Sequence, residues 1–392
     1  MPVSPAVFRR RLFPGATGRN WNDWRWQVRH AFRTRGQLER LLDLSPDERA
    51  ALDGRRLRLP VAITPYYASL LALGDPNQPL RRVVVPTVAE TRRGAGERED
   101  PLGEEKHRPV PCLVHTYPDR ALFLVTGACP AYCRYCTRAR LAGRGAGLTS
   151  RANWRRALDY LRAHREIRDV VISGGEPLLL PDEKLKELLW ELRHIPHLEL
   201  LRISTRVPAV LPRRVTPALA RLLGKCQPLW VSVHFAHPDE LTPEAERACA
   251  RLAEAGVPMG SQTVLLRGIN DSPDTIRRLM RGLLRMRVKP YYLHQCDAVV
   301  GSAAFRASVA DGVEILRGLH GHTSGYAVPL YMIDAPGGGG KVPLSPDYVL
   351  GRRNGTLLLR NYRGRPYRYR LADGDPYASG RRRKGPGAGR LA

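Results

Sequence analysis

No run of the sequence approaches the ~20 consecutive apolar residues that a membrane-spanning helix requires, so a membrane partner is not expected. No apolar stretch follows Arg9, Arg10 and Arg11, so a secretory signal is not expected either, and the reading is a cytoplasmic protein. Cysteine is sparse: seven residues in 392, too few and too unevenly placed for a disulfide framework. Acidic residues are in deficit, 37 Asp+Glu against 64 Lys+Arg, which leaves a formal net charge of +27. The remaining composition, 43% hydrophobic and 26% charged, is that of an ordinary globular chain and excludes collagen-like and disordered classes.

A strongly basic chain raises the question of a nucleic-acid partner. The distribution of the charge argues against one. From Gly351 to Ala392 there are 12 basic and 2 acidic residues, so this last stretch alone carries +10 of the +27. A basic RNA-binding or RNA-modifying protein is retained only as the alternative of another class.

Residues 1–110 read as a helical and irregular region in which Ser45 and Pro46 mark a helix start. Arg92 to Arg108 is charged and contains glycine, and is expected to be a surface loop. From about residue 120 short β-branched runs recur: Ala121–Thr126, Asp169–Ser173, Glu199–Ser204, Leu229–His234, Ser261–Leu266 and Val288–His294. Amphipathic stretches such as Trp154–His164 and Glu183–Arg193 separate them. Such alternation predicts an α/β fold, a partial (β/α)6 TIM-like barrel over 111–322 with its site at the C-terminal ends of the strands. Residues 323–372 form a C-terminal segment with strands at Thr356–Leu359 and Tyr367–Leu371, and 373–392 a basic, disordered tail.

Three thiols lie within eight residues, at Cys129, Cys133 and Cys136, directly after the first strand. A C-x3-C-x2-C loop can hold three irons of a [4Fe–4S] cluster and leave the fourth without a protein ligand, whereas electron-transfer clusters fill all four positions. Zinc is the competing reading, but it would want a fourth ligand nearby. The other four cysteines read as small buried hydrophobes. After the second strand comes Ser173-Gly174-Gly175-Glu176-Pro177, whose glycines permit close backbone approach and whose carboxylate suits an ammonium group. Later, Asp334-Ala-Pro precedes Gly337, Gly338, Gly339, Gly340 and Lys341. A string of backbone N–H groups can cradle a phosphate, and a lysine beside it can hold an aldehyde cofactor such as pyridoxal 5′-phosphate (PLP); the alternative is a glycine turn.

The cysteine spacing resembles that of the radical S-adenosylmethionine (SAM) enzymes, and the three motifs together resemble the lysine 2,3-aminomutase family. The likeness runs through Trp21-Asn-Asp-Trp-Arg-Trp-Gln, Ile63-Thr-Pro-Tyr-Tyr, Tyr117-Pro-Asp-Arg120, Cys136-Thr-Arg138, His234-Phe-Ala-His-Pro, Gln262-Thr-Val-Leu-Leu-Arg-Gly-Ile-Asn-Asp and Gly321-His-Thr-Ser-Gly-Tyr-Ala-Val-Pro. The resemblance implies a radical SAM barrel, a [4Fe–4S] cluster on Cys129, Cys133 and Cys136, SAM at Gly174, Gly175, Glu176, His234 and Gln262, and PLP on Lys341 with Tyr117, Arg120 and the glycine segment. It implies Arg138 as the partner of a substrate carboxylate, and Asp297 with Asp334 as the receivers of the distal ammonium of L-lysine, which an isomerase of this kind interconverts with L-β-lysine. A reducing donor of flavodoxin or ferredoxin type and a homo-oligomer follow from the same likeness. Arginine 2,3-aminomutase and the lysine aminomutase that serves elongation factor P are the alternatives.

Each residue has a plainer reading: a surface charge for Arg138, a cap or turn for Asp297 and Asp334, a core imidazole for His234. Tyr291 and Tyr292 read as barrel packing rather than cofactor neighbours. Two departures stand out. Ser272 occupies a position where the best-known members have cysteine, and no cysteine follows Cys296, so their structural zinc is not expected. Thr116 stands where those members have arginine, so one contact near PLP is expected to be lost or replaced.

Overall fold

A computed structural model describes residues 5–54, 57–143, 150–372 and 375; most of the basic tail predicted at 373–392 lies outside them. Nine strands form one sheet in strict chain order: β1 (Leu113–Tyr117), β2 (Arg120–Thr126), β3 (Asp169–Gly174), β4 (Leu200–Thr205), β5 (Leu229–Val233), β6 (Met259–Leu265), β7 (Lys289–Gln295), β8 (Leu330–Ala335) and β9 (Gly340–Leu344). Strands β2 to β8 run parallel, while β1 and β9 pair antiparallel at the two edges. Helices Arg151–Ala163, Asp182–Arg193, Pro217–Gly224, Pro243–Glu254, Pro273–Arg285 and Val309–Leu319 make the six crossovers. The six predicted βα units are therefore present. The sheet also continues past residue 322, because β8 and β9 come from the segment read as a separate C-terminal piece.

Local sequence explains the elements. Parallel strands covered on both faces need near-continuous apolar runs, and β2 buries Ala121, Phe123, Leu124, Val125 and Thr126. The helix Pro273–Arg285 turns Ile276, Leu279, Met280 and Leu283 to the sheet, the spacing of one helical face. Ser272 caps it: the side-chain oxygen accepts from the Thr275 N–H at 3.2 Å. Ser45 does the same for the helix Pro46–Asp53 as predicted. Cys112, Cys226, Cys249 and Cys296 are all buried.

The N-terminal helices share the barrel's hydrophobic core, with Trp21, Trp26 and Leu38 in the same cluster as Ile172 and Val231. Polar contacts fix the join. Thr64 Oγ1 donates to the Val210 carbonyl at 2.7 Å, and Tyr67 donates through its hydroxyl to Glu240 at 2.6 Å. A small antiparallel sheet follows, β10 (Val349–Arg353), β11 (Thr356–Arg360) and β12 (Pro366–Arg370), matching the two strands predicted there. Among the described residues no helix is long and apolar enough to cross a membrane.

The stretch Arg92 to Arg108 is the loop expected, with Arg92, Arg93, Arg98, Glu99, Glu105 and Lys106 exposed, but it is tied to distant elements. Arg98 N–H donates to the Ala298 carbonyl at 2.8 Å, Gly337 N–H to the Pro101 carbonyl at 3.0 Å, and Gly301 N–H to the Glu97 carboxylate at 2.9 Å. Glu97 and Glu104 are 2% and 4% exposed. The segment is a strap joining β7, β8 and the loop after the cysteines. Glu104 pairs with Arg138 and Arg140, and Glu97 accepts from backbone and hydroxyl groups, so these two acids are buried while most charged residues of the segment stay exposed.

Candidate active site

Two cavities, of about 260 Å³ and about 310 Å³, occupy the barrel interior. Leu102, Arg138, Ser173, Ser204, Gln262, Asp334 and Lys341 line both, so the two meet. The second is walled by Cys129, Cys133 and Cys136, by Gly174, Gly175 and Glu176 beyond β3, and by His234 and Asp297. The first holds Tyr117, Arg120, Arg202, Tyr292, Gly338 and Gly340. Sequence-distant residues named from the resemblance thus share one connected space, except Gly337 and Gly339, which line neither cavity.

Lys341 owes its position to strand register. It lies directly opposite Asp334 across the β8–β9 pair, and its Nζ donates to both Asp334 oxygens at 2.7 and 2.8 Å. The glycine segment is the turn that allows this pairing, with positive φ at Gly337, Gly338 and Gly340. Part of the string expected to cradle a phosphate is taken up within the protein. Gly337 N–H is already spent on Pro101 and Lys341 N–H on the Tyr117 hydroxyl at 2.8 Å, and a Cβ on Gly338 would meet the His107 ring at 2.3 Å. These glycines make room chiefly for protein.

Burial would push the Asp334 carboxyl up, but His294, whose Nδ1 lies 3.4 Å away, and the Lys341 ammonium hold it at about 2. Asp297 behaves oppositely. Burial raises it to about 6, against a hydrogen bond from the Thr137 hydroxyl and with the charge of Asp334 adding to the rise. Thr137 and Arg138 follow Cys136 directly, so the loop that carries the thiols also sets both charged partners of the cavity. Arg138 is not a free surface charge: its Nε donates to Glu104 at 2.9 Å, and Glu104 also accepts from Arg140 at 2.9 Å. Glu104 went unnoticed in the sequence because its partners lie more than thirty residues on.

The Gly-Gly-Glu segment lines the second cavity and is packed tightly behind it. A Cβ on Gly174 would meet the Thr126 carbonyl oxygen at 2.3 Å, and one on Gly175 the Ala128 oxygen at 2.4 Å. The glycines let this loop pack on the segment leading to Cys129 while it borders the second cavity. Glu176 is turned inward; its carboxylate accepts from Leu178 N–H at 3.1 Å, Thr205 Oγ1 at 2.7 Å and Arg206 N–H at 2.8 Å, and burial raises its carboxyl to about 7.

His234 has both ring nitrogens engaged. Nδ1 donates to the Gln262 carbonyl at 2.6 Å, which can only accept, so Nε2 takes the Tyr135 hydroxyl proton's hydrogen bond at 2.6 Å. Burial, then the Arg206 guanidinium, lowers its pKa to about 4, so the imidazole is neutral. Arg120 lies over the Tyr117 ring with its guanidinium carbon 4.6 Å from the centroid. Tyr292 is not barrel packing: its ring borders the first cavity with Lys341 Nζ 6.0 Å from the centroid, and the exposed Tyr291 stacks on it at 3.7 Å. Arg202, held by Asp169 at 2.6 Å, joins Arg120 and Arg138 as a third guanidinium in that cavity, one which the sequence reading missed.

Comparison with known proteins identifies the family. Residues 123–280 match the Radical SAM superfamily and residues 316–381 the family described as Lysine-2,3-aminomutase. The chain is 47% identical over 356 residues to L-lysine 2,3-aminomutase of Fusobacterium nucleatum, covering 91% of this chain and 84% of that protein. It is 48% identical over 345 residues to L-lysine 2,3-aminomutase of Bacillus subtilis, covering 88% and 73%. Glutamate 2,3-aminomutase of Clostridioides difficile is 39% identical over 349 residues, covering 89% and 82%. With both sequence families in register on the barrel and its C-terminal segment, and near-half identity across nine-tenths of its length, the chain belongs to the lysine 2,3-aminomutase family, isomerases of the radical SAM superfamily.

Proposed function

We propose that the protein interconverts L-lysine and L-β-lysine by moving the amino group between C2 and C3. Radical SAM enzymes of this family work with a [4Fe–4S] cluster and SAM, and the proposal adds PLP. When bound, the cluster with SAM supplies a 5′-deoxyadenosyl radical on reduction, and PLP supplies an aldehyde that carries the migrating nitrogen. The observation that carries the reading is the meeting of two cavities, one walled by three thiols and the other by Lys341 and Arg120.

The residues fit these groups. Cys129, Cys133 and Cys136 would bind three irons, and one of them already faces a guanidinium, an environment suited to thiolate. Lys341 would hold the aldehyde, with Arg120 and Arg202 as cations for its phosphate. Arg202 would also make good the arginine missing at Thr116. Arg138, with Glu104 fixing its plane, would take the substrate carboxylate. Asp297 and Asp334 would take the distal ammonium, so that substrate lysine replaces Lys341 as the cation on Asp334. The barrel wall orients these pieces and excludes water.

Two carboxylates at the far end of the cavity oppose a substrate with an anionic side chain, since a buried uncompensated charge costs several kcal/mol. Glutamate is therefore the poorest fit, despite the glutamate-acting relative. A flavodoxin- or ferredoxin-type protein delivers the electron. Exposed Tyr326, Leu330 and Val342, on β8, β9 and the turn before them, support association of copies. The test is anaerobic reconstitution with iron, sulfide, PLP, SAM and reductant, then lysine, arginine and glutamate assayed side by side. We expect β-lysine and 5′-deoxyadenosine with lysine and no product with glutamate; turnover of arginine alone would replace the substrate, and no deoxyadenosine with any of them would overturn the reading.

A further inference from the structure

The structure assigns to Arg206 a role no motif carries: a positioning residue that holds Cys133 and raises the reduction potential of the cluster bound there. The inference rests on the three cysteines being cluster ligands, with the Cys133 sulfur standing for an iron-bound thiolate. Arg206 follows β4, and its backbone N–H is fixed by Glu176 at 2.8 Å. One guanidinium nitrogen donates to Cys133 Sγ at 2.9 Å. The other donates to Glu240 at 2.6 Å and to the Tyr67 hydroxyl at 3.1 Å. Glu240 in turn accepts from Tyr67 at 2.6 Å and from Ala236 N–H at 2.6 Å. Arg206 is 7% exposed, and Glu240 and Tyr67 are fully buried.

A structural ion pair alone would explain Arg206 with Glu240. It does not explain why the pair is oriented with its cationic end on a cysteine sulfur. Hydrogen bonds to cluster sulfurs and nearby charge set reduction potential. An added electron makes the cluster and its thiolates more negative, so a donor and a positive charge 2.9 Å away favour the reduced form. Glu240 sits beyond the guanidinium and offsets the charge only in part, because in this low-dielectric interior the nearer charge acts more strongly. The same residue ties the Gly-Gly-Glu loop to the cysteine loop, its backbone N–H on Glu176 and its guanidinium on Cys133, so the two walls of the cavity are set together.

The test is a redox titration of reconstituted protein followed by electron paramagnetic resonance. Arg206→Gln alone would strand Glu240, a buried charge without its partner, so it is made together with Glu240→Gln, and Glu240→Gln is also made alone. The double variant should titrate at a lower midpoint, with the reduction equilibrium shifted at least tenfold, about 59 mV for one electron. Glu240→Gln alone should move the midpoint upward, because it leaves the guanidinium uncompensated. A double variant that binds iron as the parent does and titrates at the parent's midpoint would reduce Arg206 to packing. Should the double variant bind little iron, Glu240→Gln alone decides the matter: a midpoint at or below the parent's overturns the inference, since the uncompensated guanidinium would then be without effect on the cluster. A parent protein that binds no cluster at all would instead refute the ligand assignment.

Discussion

Lys341→Ala yields a folded protein that stays colourless with PLP and loses at least ~10⁴-fold in turnover, about 5.4 kcal/mol at 1.36 kcal/mol per decade. Among the described residues Lys341 is the one lysine that lines either cavity. Lys289, for example, donates instead to the Pro290 and Tyr326 carbonyls at 2.8 and 2.9 Å. The parent protein should instead absorb near ~420 nm and lose that band on borohydride reduction. The fold should survive because Lys341 is a β9 residue, and β9 is held by backbone pairing from Ala335–Gly340 to Tyr331–Leu344. A Lys341→Ala protein that still fixes the cofactor with borohydride would move the attachment elsewhere. An isolated loss of activity with the colour intact would do the same.

The strands were legible because a parallel strand buried on both faces has few ways to be written. Asp169–Ser173 became Asp169–Gly174, and Val288–His294 became Lys289–Gln295. The thiols and Lys341 were legible from local motifs, whereas the two aspartates, far apart in the sequence, were named only through the family resemblance. What stayed hidden depended on partners remote in sequence. Nothing beside Glu104 announces Arg138, and nothing in the run Thr205-Arg206-Val207 announces Cys133 or Glu240. The glycines were read only in part for a related reason. Gly-Gly before a carboxylate looks like space left for a ligand, and the loop does border the cavity, yet the side where a Cβ would stand at Gly174 and Gly175 is filled by the carbonyls of Thr126 and Ala128. A sequence shows that a side chain is absent; only the neighbouring strand shows what took its place.

Asp297→Asn combined with Asp334→Asn should raise the KM for lysine by at least ~100-fold, about 2.7 kcal/mol at 1.36 kcal/mol per decade, or abolish turnover. The two aspartates separate experimentally. Asp334 is bonded to Lys341, so its loss disturbs cofactor attachment as well as substrate, whereas Asp297 touches Thr137 and leaves Lys341 alone. Asp297→Asn by itself should therefore keep the ~420 nm band and weaken lysine binding. A pH profile adds a sign. Burial holds the Asp297 carboxyl at about 6, so it is charged above that value and neutral below it. A neutral carboxyl cannot balance an ammonium, and kcat/KM, which reports the free enzyme's groups, should fall as pH drops through about 6. In Asp297→Asn that acid limb should disappear while the lower plateau remains. Asp334, held at about 2 beside the Lys341 ammonium, contributes no titration in this range. An Asp297→Asn protein with the parent's KM and the parent's acid limb would leave Asp334 as the sole charge selecting a cationic side chain.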